Sequence, residues 1–484
     1  MSDINPFQIP EGANFIGGAW QAGATHRIVL ENPSDGSAIW EIADSGHGEV
    51  NDAVQAAQQA LSGAWGRLTA AERGRCLARL GQLVTTHQDA LARLEALDVG
   101  KPLTQARADA VALARYMEFY AGAADKLMGE TIPYLNGFAV STLREPHGVT
   151  AHIIPWNYPM QIIGRSVGAA LAAGNACVLK PAEQACLTAL AFAQLAAEAG
   201  FPAGAINVVT GAGQSTGAAL ARHPGVRHIS FTGSVATGRA IQAAAATNVV
   251  PVTLELGGKS PQIVFDDADL DRALPFLVTP GIQNAGQTCS AASRILVQRR
   301  VYDKVIARMG ARYDALRVGP ALADRDVGPL ISANQHAIVS RYLAEGADLQ
   351  IAGQGTIDPD APSGGHFVVP TLFADVPPDH RLAQEEIFGP VQVVMPFDTE
   401  EEAVALANGT PYGLVAAVWT EQGARQMRLA RQLRAGQVFI NNYGAGGGVE
   451  LPFGGVGHSG HGREKGFDAL YGFTTLKTIA AWHG

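Results

Sequence analysis

The stretch that decides the fold runs from Val149 to Gly257. In order it reads VTAHIIPW (149–156), MQIIGRSVGAALAAG (160–174), ACVLKP (176–181), LTALAFAQLAAEAG (187–200), INVVTG (206–211), HISFTGS (228–234) and PVTLELG (251–257). Short apolar runs alternate with Ala- and Leu-rich runs long enough for helices. Strands alternating with helices predict an α/β class with a parallel, doubly wound sheet. Such sheets bind ligands beyond the carboxyl ends of their strands, so the polar and Gly-bearing tips after these runs are where chemistry should sit.

A second series follows Ser260. Strand-like runs PQIVF (261–265), SRILVQ (293–298), PVQVVMPF (390–397), LVAAVWT (414–420) and QVFIN (437–441) are separated by helical ones such as VYDKVIARMGARYDALR (301–317). Two doubly wound parallel sheets are therefore expected. The first third is mostly helical by period, with Leu77, Leu80, Leu83 and Val84 on one face. From Leu127 to Pro146 the pattern alternates around Ile132, Tyr134, Phe138, Val140 and Thr142, as hairpin strands do. The tail GFTTLKTIAAW (472–482) is strand-like and lies outside both series. It could pair with that hairpin, in its own or a neighbouring subunit.

With 484 residues, the chain is long enough for two or three domains. Its 47% apolar and 16% charged content is that of an ordinary globular protein. The net charge of −9 disfavours nucleic acid or an anionic membrane as partner. No apolar run reaches the roughly 18 residues of a transmembrane helix. The opening MSDINPFQIPEG has neither a basic nor an apolar leader region. Cys76, Cys177, Cys186 and Cys289 form no CxxC pair and no disulfide scaffold. A reducing, cytoplasmic setting is the expectation.

Cys289, in GQTCSA, is flanked by small polar residues between a helical run and a strand. Such a loop leaves sulfur reachable, as a nucleophile requires, although a free cysteine is commonly just a small buried hydrophobe. Glu255 closes the strand VTLE beside two glycines and is a candidate general base, or else a carboxylate capping a turn. Asn157 lies between two prolines in PWNYP. Rigid backbone around an amide suits an oxyanion contact, and equally an ordinary Pro-rich turn. GAGQSTG (211–217) follows a strand and opens a helix, with Gly213 in place for a dinucleotide fingerprint but Gly217 one residue late for GxGxxG. FTGSVATG sets Gly233 and Ser234 at another helix start, where backbone N–H groups can meet a pyrophosphate. Lys180 and Glu183 follow the strand ACVL; an acid there can hold ribose hydroxyls and repel a 2′-phosphate. His458 and His461, spaced HxxH without further ligands beside them, read as surface loop residues rather than a metal site.

Taken together and in this order, PWNYP, LKPAE, FTGS, LELGGKSP, GQTCSA, EEIFGPV and PFGG resemble the aldehyde dehydrogenase superfamily, over Pro155 to Gly455. The resemblance implies an NAD-binding domain (1–126 and 147–256), a catalytic domain (257–450) and oligomerisation strands with the tail (127–146 and 451–484). It implies Cys289 as nucleophile, Glu255 as general base and Asn157 as oxyanion donor. Pro155, Trp156, Lys180, Glu183, Gly213, Gly217, Phe231, Gly233, Ser234, Leu256, Glu386 and Phe388 fall on cofactor positions. The cofactor implied is NAD, with NADP possible, no metal is required, and the assembly implied is a homodimer or homotetramer. The reaction implied is oxidation of an aldehyde to its acid through a cysteine thioester. A coenzyme-A-acylating relative and an inactive crystallin-like relative are the alternatives; Glu255 weighs against the first, and intact Cys289, Glu255 and Asn157 against the second.

The same resemblance places Tyr158, Ile162 and Arg165 at the aldehyde entrance. Relatives acting on betaine aldehyde carry an aromatic where Arg165 stands. Those acting on succinic semialdehyde pair that arginine with a second one, where this chain has Gln283. Gly444, Gly446, Gly447 and Gly448 replace bulkier pocket residues. Neutral aromatic or medium-chain aldehydes are expected, then a carboxylated semialdehyde, with betaine aldehyde disfavoured. Arg165 could alternatively point away into a surface ion pair.

Overall fold

The computed structural model describes residues 7–24, 26–444 and 448–484. Both predicted parallel sheets form. The first has eight strands, ordered in space as Ala19–Ala22, Ala13–Ile16, Ile206–Val208, Ala176–Lys180, Val149–Ile153, His228–Thr232, Val252–Glu255 and Gly460–His461. Its central pairs are parallel, Val149 lying beside Ala176 and Thr150 beside His228. The strands Val149–Ile153, Ala176–Lys180 and His228–Thr232 are buried along their whole length. That explains why they read as continuous apolar runs: helices cover both faces. The second sheet has seven strands, and Pro261–Val264, Arg294–Gln298, Val391–Phe397, Val415–Trp419 and Gln437–Ile440 run parallel within it. Each sheet has its own hydrophobic core, one around Val178, Ile229 and Phe192, the other around Ile263, Leu296 and Val393.

Three departures from the sequence reading carry physical reasons. The first third is not only helical: Ala13–Ile16 and Ala19–Ala22 form a hairpin that extends the first sheet, and Arg27–Glu31 pairs with Ala38–Ala43. These strands are four to six residues long, too short for period to reveal. Between 127 and 146, only Phe138–Pro146 is a strand, with one isolated bridge from Thr131 to Ser141. Its partner is the tail strand Thr474–Trp482 of the same chain, antiparallel from Thr474↔Pro146 to Trp482↔Phe138. The residues from 451 onward are not one extension, because Gly460–His461 pair with Leu254 and Glu255 at the edge of the first sheet.

Candidate active site

Both series deliver their strand tips to one cavity of about 850 Å³. From the first come Pro155, Trp156 and Asn157 after Val149–Ile153, Gly233 and Ser234 after His228–Thr232, and Glu255 at the end of Val252–Glu255. From the second come Cys289, Glu386 and Phe388. Tyr158, Ile162 and Arg165 line the same cavity.

Cys289 owes its place to an unusual loop. The helix Leu270–Ile282 ends, and Asn284, Ala285 and Gly286 all take positive φ. Only Gly286 is free of the steric cost of that conformation. Side chains hold the turn around Asn284. The Asn284 amide donates to the Asn157 carbonyl at 3.0 Å, the Gln287 amide donates to the Asn284 carbonyl at 2.9 Å, and Ile331 N–H donates to Gln287 Oε1 at 2.9 Å. The Asn157 Nδ2 donates to the Gln287 carbonyl at 2.9 Å. The candidate oxyanion donor is thereby tied to the loop that carries the candidate nucleophile. Burial raises the Cys289 thiol to about 11; the Arg165 guanidinium and the Ser290 amide pull against it.

Glu255 is buried, and among the described residues neither carboxylate oxygen has a hydrogen-bond partner. Desolvation lifts its pKa well above the ordinary value and Glu464 adds to the shift, while Arg165 and Arg463 oppose it. A carboxyl with a raised proton affinity in a cavity wall is suited to accept a proton from water, as a general base must.

Arg165 does not reach the surface. It sits in a π-helical turn, Ile163–Val167, inside an otherwise α-helical segment, a feature common at functional sites. Its Nε meets Glu464 Oε2 at 2.5 Å and its Nη2 donates to Thr232 Oγ1 at 3.2 Å. The surface ion pair that sequence left open is thus a buried one, facing the cavity.

The remaining cofactor candidates divide. Glu386 accepts from Gly258 N–H at 2.9 Å and burial raises its carboxyl to about 7. Gly257 has no room for a side chain, since a Cβ there would stand 2.1 Å from that carboxylate. Trp156 and Phe388 meet edge to face at 5.4 Å. Ser234 caps the helix Val235–Ala246, accepting from Thr237 N–H at 3.2 Å. Lys180 and Glu183 pair at 3.2 Å, and Gly217 opens directly against the Lys180 stem. Lys180, Glu183, Gly213 and Gly217 lie outside the cavity lining, as do Phe231 and Leu256, which pack in the core of the first sheet. Phe231 stands where a Cβ on Gly233 would reach its ring at 2.6 Å.

Gly444 and Gly448 line the cavity, whereas Gly446 and Gly447 lie outside the described residues. His458 and His461 are both exposed; His461 faces Gln242 at 2.9 Å and His458 faces Arg239 at 3.3 Å. Sequence reasoning missed Asn284, Gln287, Tyr443, Glu464 and Lys465. The charged trio Arg463-Glu464-Lys465 in a glycine-rich loop was the available signal.

Comparison with known proteins identifies the family of the chain. The profile of the Aldehyde dehydrogenase family matches residues 20–479. An aldehyde dehydrogenase of Emericella nidulans is 43% identical over 94% of this chain and 92% of its own. A candidate aldehyde dehydrogenase from Burkholderia cenocepacia superposes with a TM-score of 0.97 at 64% identity, over 97% of this chain and all of its own. An NAD+ complex of an aldehyde dehydrogenase from Bacillus cereus superposes at 0.96 with 38% identity, over 100% of this chain and 99% of its own. The chain therefore belongs to the aldehyde dehydrogenase family.

Proposed function

We propose that this protein oxidises an aldehyde to its carboxylic acid with NAD, by way of a thioester on Cys289. The observation that carries the reading is the convergence of Cys289, Glu255 and Asn157, from three separate segments, on one cavity. The first-sheet unit (1–126 and 147–256) is the NAD-binding domain and 257–450 the catalytic one. The paired strands within 127–146 and the tail serve a homodimer or homotetramer in the cytoplasm.

The residues present fit a dinucleotide. Gly233 and Ser234 offer N–H groups and a helix start to a pyrophosphate. Lys180 and Glu183, beside the glycines of 213–217, suit the ribose. Glu183 favours NAD over NADP by repelling a 2′-phosphate. Glu386, Phe388, Pro155 and Trp156 line the cavity and would hold the nicotinamide end. When bound, NAD supplies the acceptor for the hydride and so the redox chemistry.

The protein's part follows from its own groups. Cys289 loses its proton and its sulfur bonds to the aldehyde carbon, turning the carbonyl oxygen into an alkoxide. Asn157 and a backbone N–H near Cys289 receive that charge, each such donor being worth about 3 kcal/mol in comparable sites. After two-electron oxidation the acyl group remains on sulfur. Glu255 takes a proton from water, the hydroxide adds to the acyl carbon, and the C–S bond breaks to release acid and thiolate. A free thiol in place of water would give the coenzyme-A-acylating reaction; a buried Glu255 with raised proton affinity favours water.

The substrate has an aromatic or medium-chain body, for which a cavity walled by Tyr116, Trp156, Tyr158 and Phe453 has room. A neutral substrate suits Arg165, which has Gln283 in place of a second arginine and whose charge Glu464 offsets. A carboxylated semialdehyde is the second reading, favoured by Lys465, which adds a cation to the same cavity. Both cations oppose betaine aldehyde. The test is a pre-steady-state burst of NADH with benzaldehyde or hexanal. No NADH with any of several aldehydes, with NAD or NADP, overturns the reading and returns the chain to an inactive, structural role.

A further inference from the structure

We propose that Lys101 is a positioning residue for the nucleophile: its buried ammonium seats the Tyr158 ring, and the Tyr158 hydroxyl holds Thr288 and so Cys289. The inference rests on the thioester reading of the cavity and adds to that reaction a residue from outside the cavity wall.

Lys101 follows the helix Gln88–Val99 and precedes the helix Leu103–Ala123. It is 0% exposed, which an ammonium tolerates only in anionic company. Both helices supply that company. Glu95 Oε1 lies 2.6 Å from the Lys101 Nζ, and Asp109 Oδ2 pairs with it too. Burial pulls the Lys101 pKa down, but Asp109 and Glu95 outweigh it, so the side chain is a cation. Joining two helices does not require such a cluster, because apolar side chains of similar volume do so as well or better.

The place of the charge accounts for it. The ammonium stands 3.9 Å from the centre of the Tyr158 ring, whose π face attracts a cation. The Tyr158 hydroxyl lies 3.0 Å from Thr288 Oγ1, and Thr288 is the residue before Cys289. Tyr158, Thr288 and Cys289 all line the cavity. Asp109 is fixed from a further side: Gln161 Nε2 donates to its Oδ1 at 2.5 Å, and Gln161 lies on the short helix Pro159–Ile162 directly after Tyr158. The cluster thus holds Tyr158 through its ring and through the helix that it opens.

The same long helix also meets the start of the nucleophile loop. Gln105, four residues before Asp109, accepts from Asn284 N–H at 2.9 Å. The segment 284–288 is therefore gripped at both ends from one element, directly at Asn284 and through Lys101 and Tyr158 at Thr288. A shift of Thr288 carries the Cys289 sulfur with it, and misplacing reacting atoms by about 1 Å can cost about a hundredfold in rate.

The pre-steady-state burst of NADH with benzaldehyde or hexanal tests this. Tyr158→Phe keeps the ring over the cation and removes only the hydroxyl. Lys101→Met combined with Glu95→Gln and Asp109→Asn removes the charges together, so no ion is left buried alone. Each variant should slow the burst rate constant by about tenfold or more, with the Kd for NAD unchanged within about twofold. All four changes combined should be no slower than the slower of the two, because both interrupt one chain of contacts. Should the charge-free variant not fold, an apolar cluster of similar volume, Lys101→Met with Glu95→Met and Asp109→Leu, takes its place with the same expected slowing. A wild-type burst in Tyr158→Phe or in the cluster variant, or effects that multiply in the combination, overturns the proposal while leaving the reaction intact. Absence of NADH with every aldehyde in the wild-type protein overturns the reaction, and the proposal with it.

Discussion

The guanidinium of Arg165 and the carboxylate of Glu464 form a buried ion pair at 2.5 Å, in the wall behind Glu255 and Cys289. It joins the π turn after Asn157 to the loop after Phe453, and its two charges act on both candidate catalytic groups: Arg165 eases ionisation of Cys289, and Glu464 hinders that of Glu255.

Breaking this pair from one side should be costly. Arg165→Met leaves Glu464 buried without its cation, and about 3–5 kcal/mol of stability should be lost. The double change Arg165→Met with Glu464→Gln should recover much of it. Denaturant unfolding of the three variants measures the effect, and additive losses would show that the pair is not coupled.

Cys289→Ala should lower kcat by roughly four orders of magnitude or more while NAD still binds, because in the proposed reaction the thiol makes the covalent bond and other residues hold the cofactor. Titration calorimetry with NAD separates the two effects. Retained turnover removes Cys289 from the mechanism.

Glu255→Gln keeps the shape and removes the proton acceptor. Acylation should survive and hydrolysis fail, so an acyl adduct on Cys289 should appear by intact-mass spectrometry after one turnover. Wild-type turnover in this variant reduces Glu255 to a structural role.

The pH dependence follows from two upward shifts. Glu255 and Cys289 both act deprotonated and both are held above their ordinary values, so turnover should climb as pH rises through neutrality into the alkaline range. Stability has the opposite slope at Glu255. A raised folded pKa means that the folded chain binds the proton more tightly than the unfolded one, so stability is lost as pH rises from the ordinary carboxyl value through the folded one. Glu255→Gln should therefore have the higher Tm, by a margin that widens with pH. A margin that narrows as pH rises contradicts the assigned direction.

Glu183 should hold the enzyme to NAD, with kcat/KM at least about tenfold above that for NADP. Glu183→Ser should narrow the gap by relieving repulsion of the 2′-phosphate. A wild-type preference for NADP refutes the role.

The sequence by itself determined the two parallel sheets and the tips that carry chemistry, because strand–helix alternation and fully buried strands leave a local apolar signature that needs no tertiary contact to be read. The motif order likewise pointed to Cys289, Glu255 and Asn157. Tertiary structure decided the rest. Whether Arg165 faced water or the cavity depended on Glu464, from a loop far along the chain, and on a π turn that no periodicity announces. Lys465 entered the cavity only because Gly460–His461 close the edge of the first sheet beside Glu255 and the loop that follows folds back. The Cys289 loop was legible as a loop, but its positive φ at Asn284 is sustained by Asn157, Gln287 and Ile331. Charge pairing and strained backbone are long-range properties: they follow from which segments meet, and segments meet only once both cores have packed.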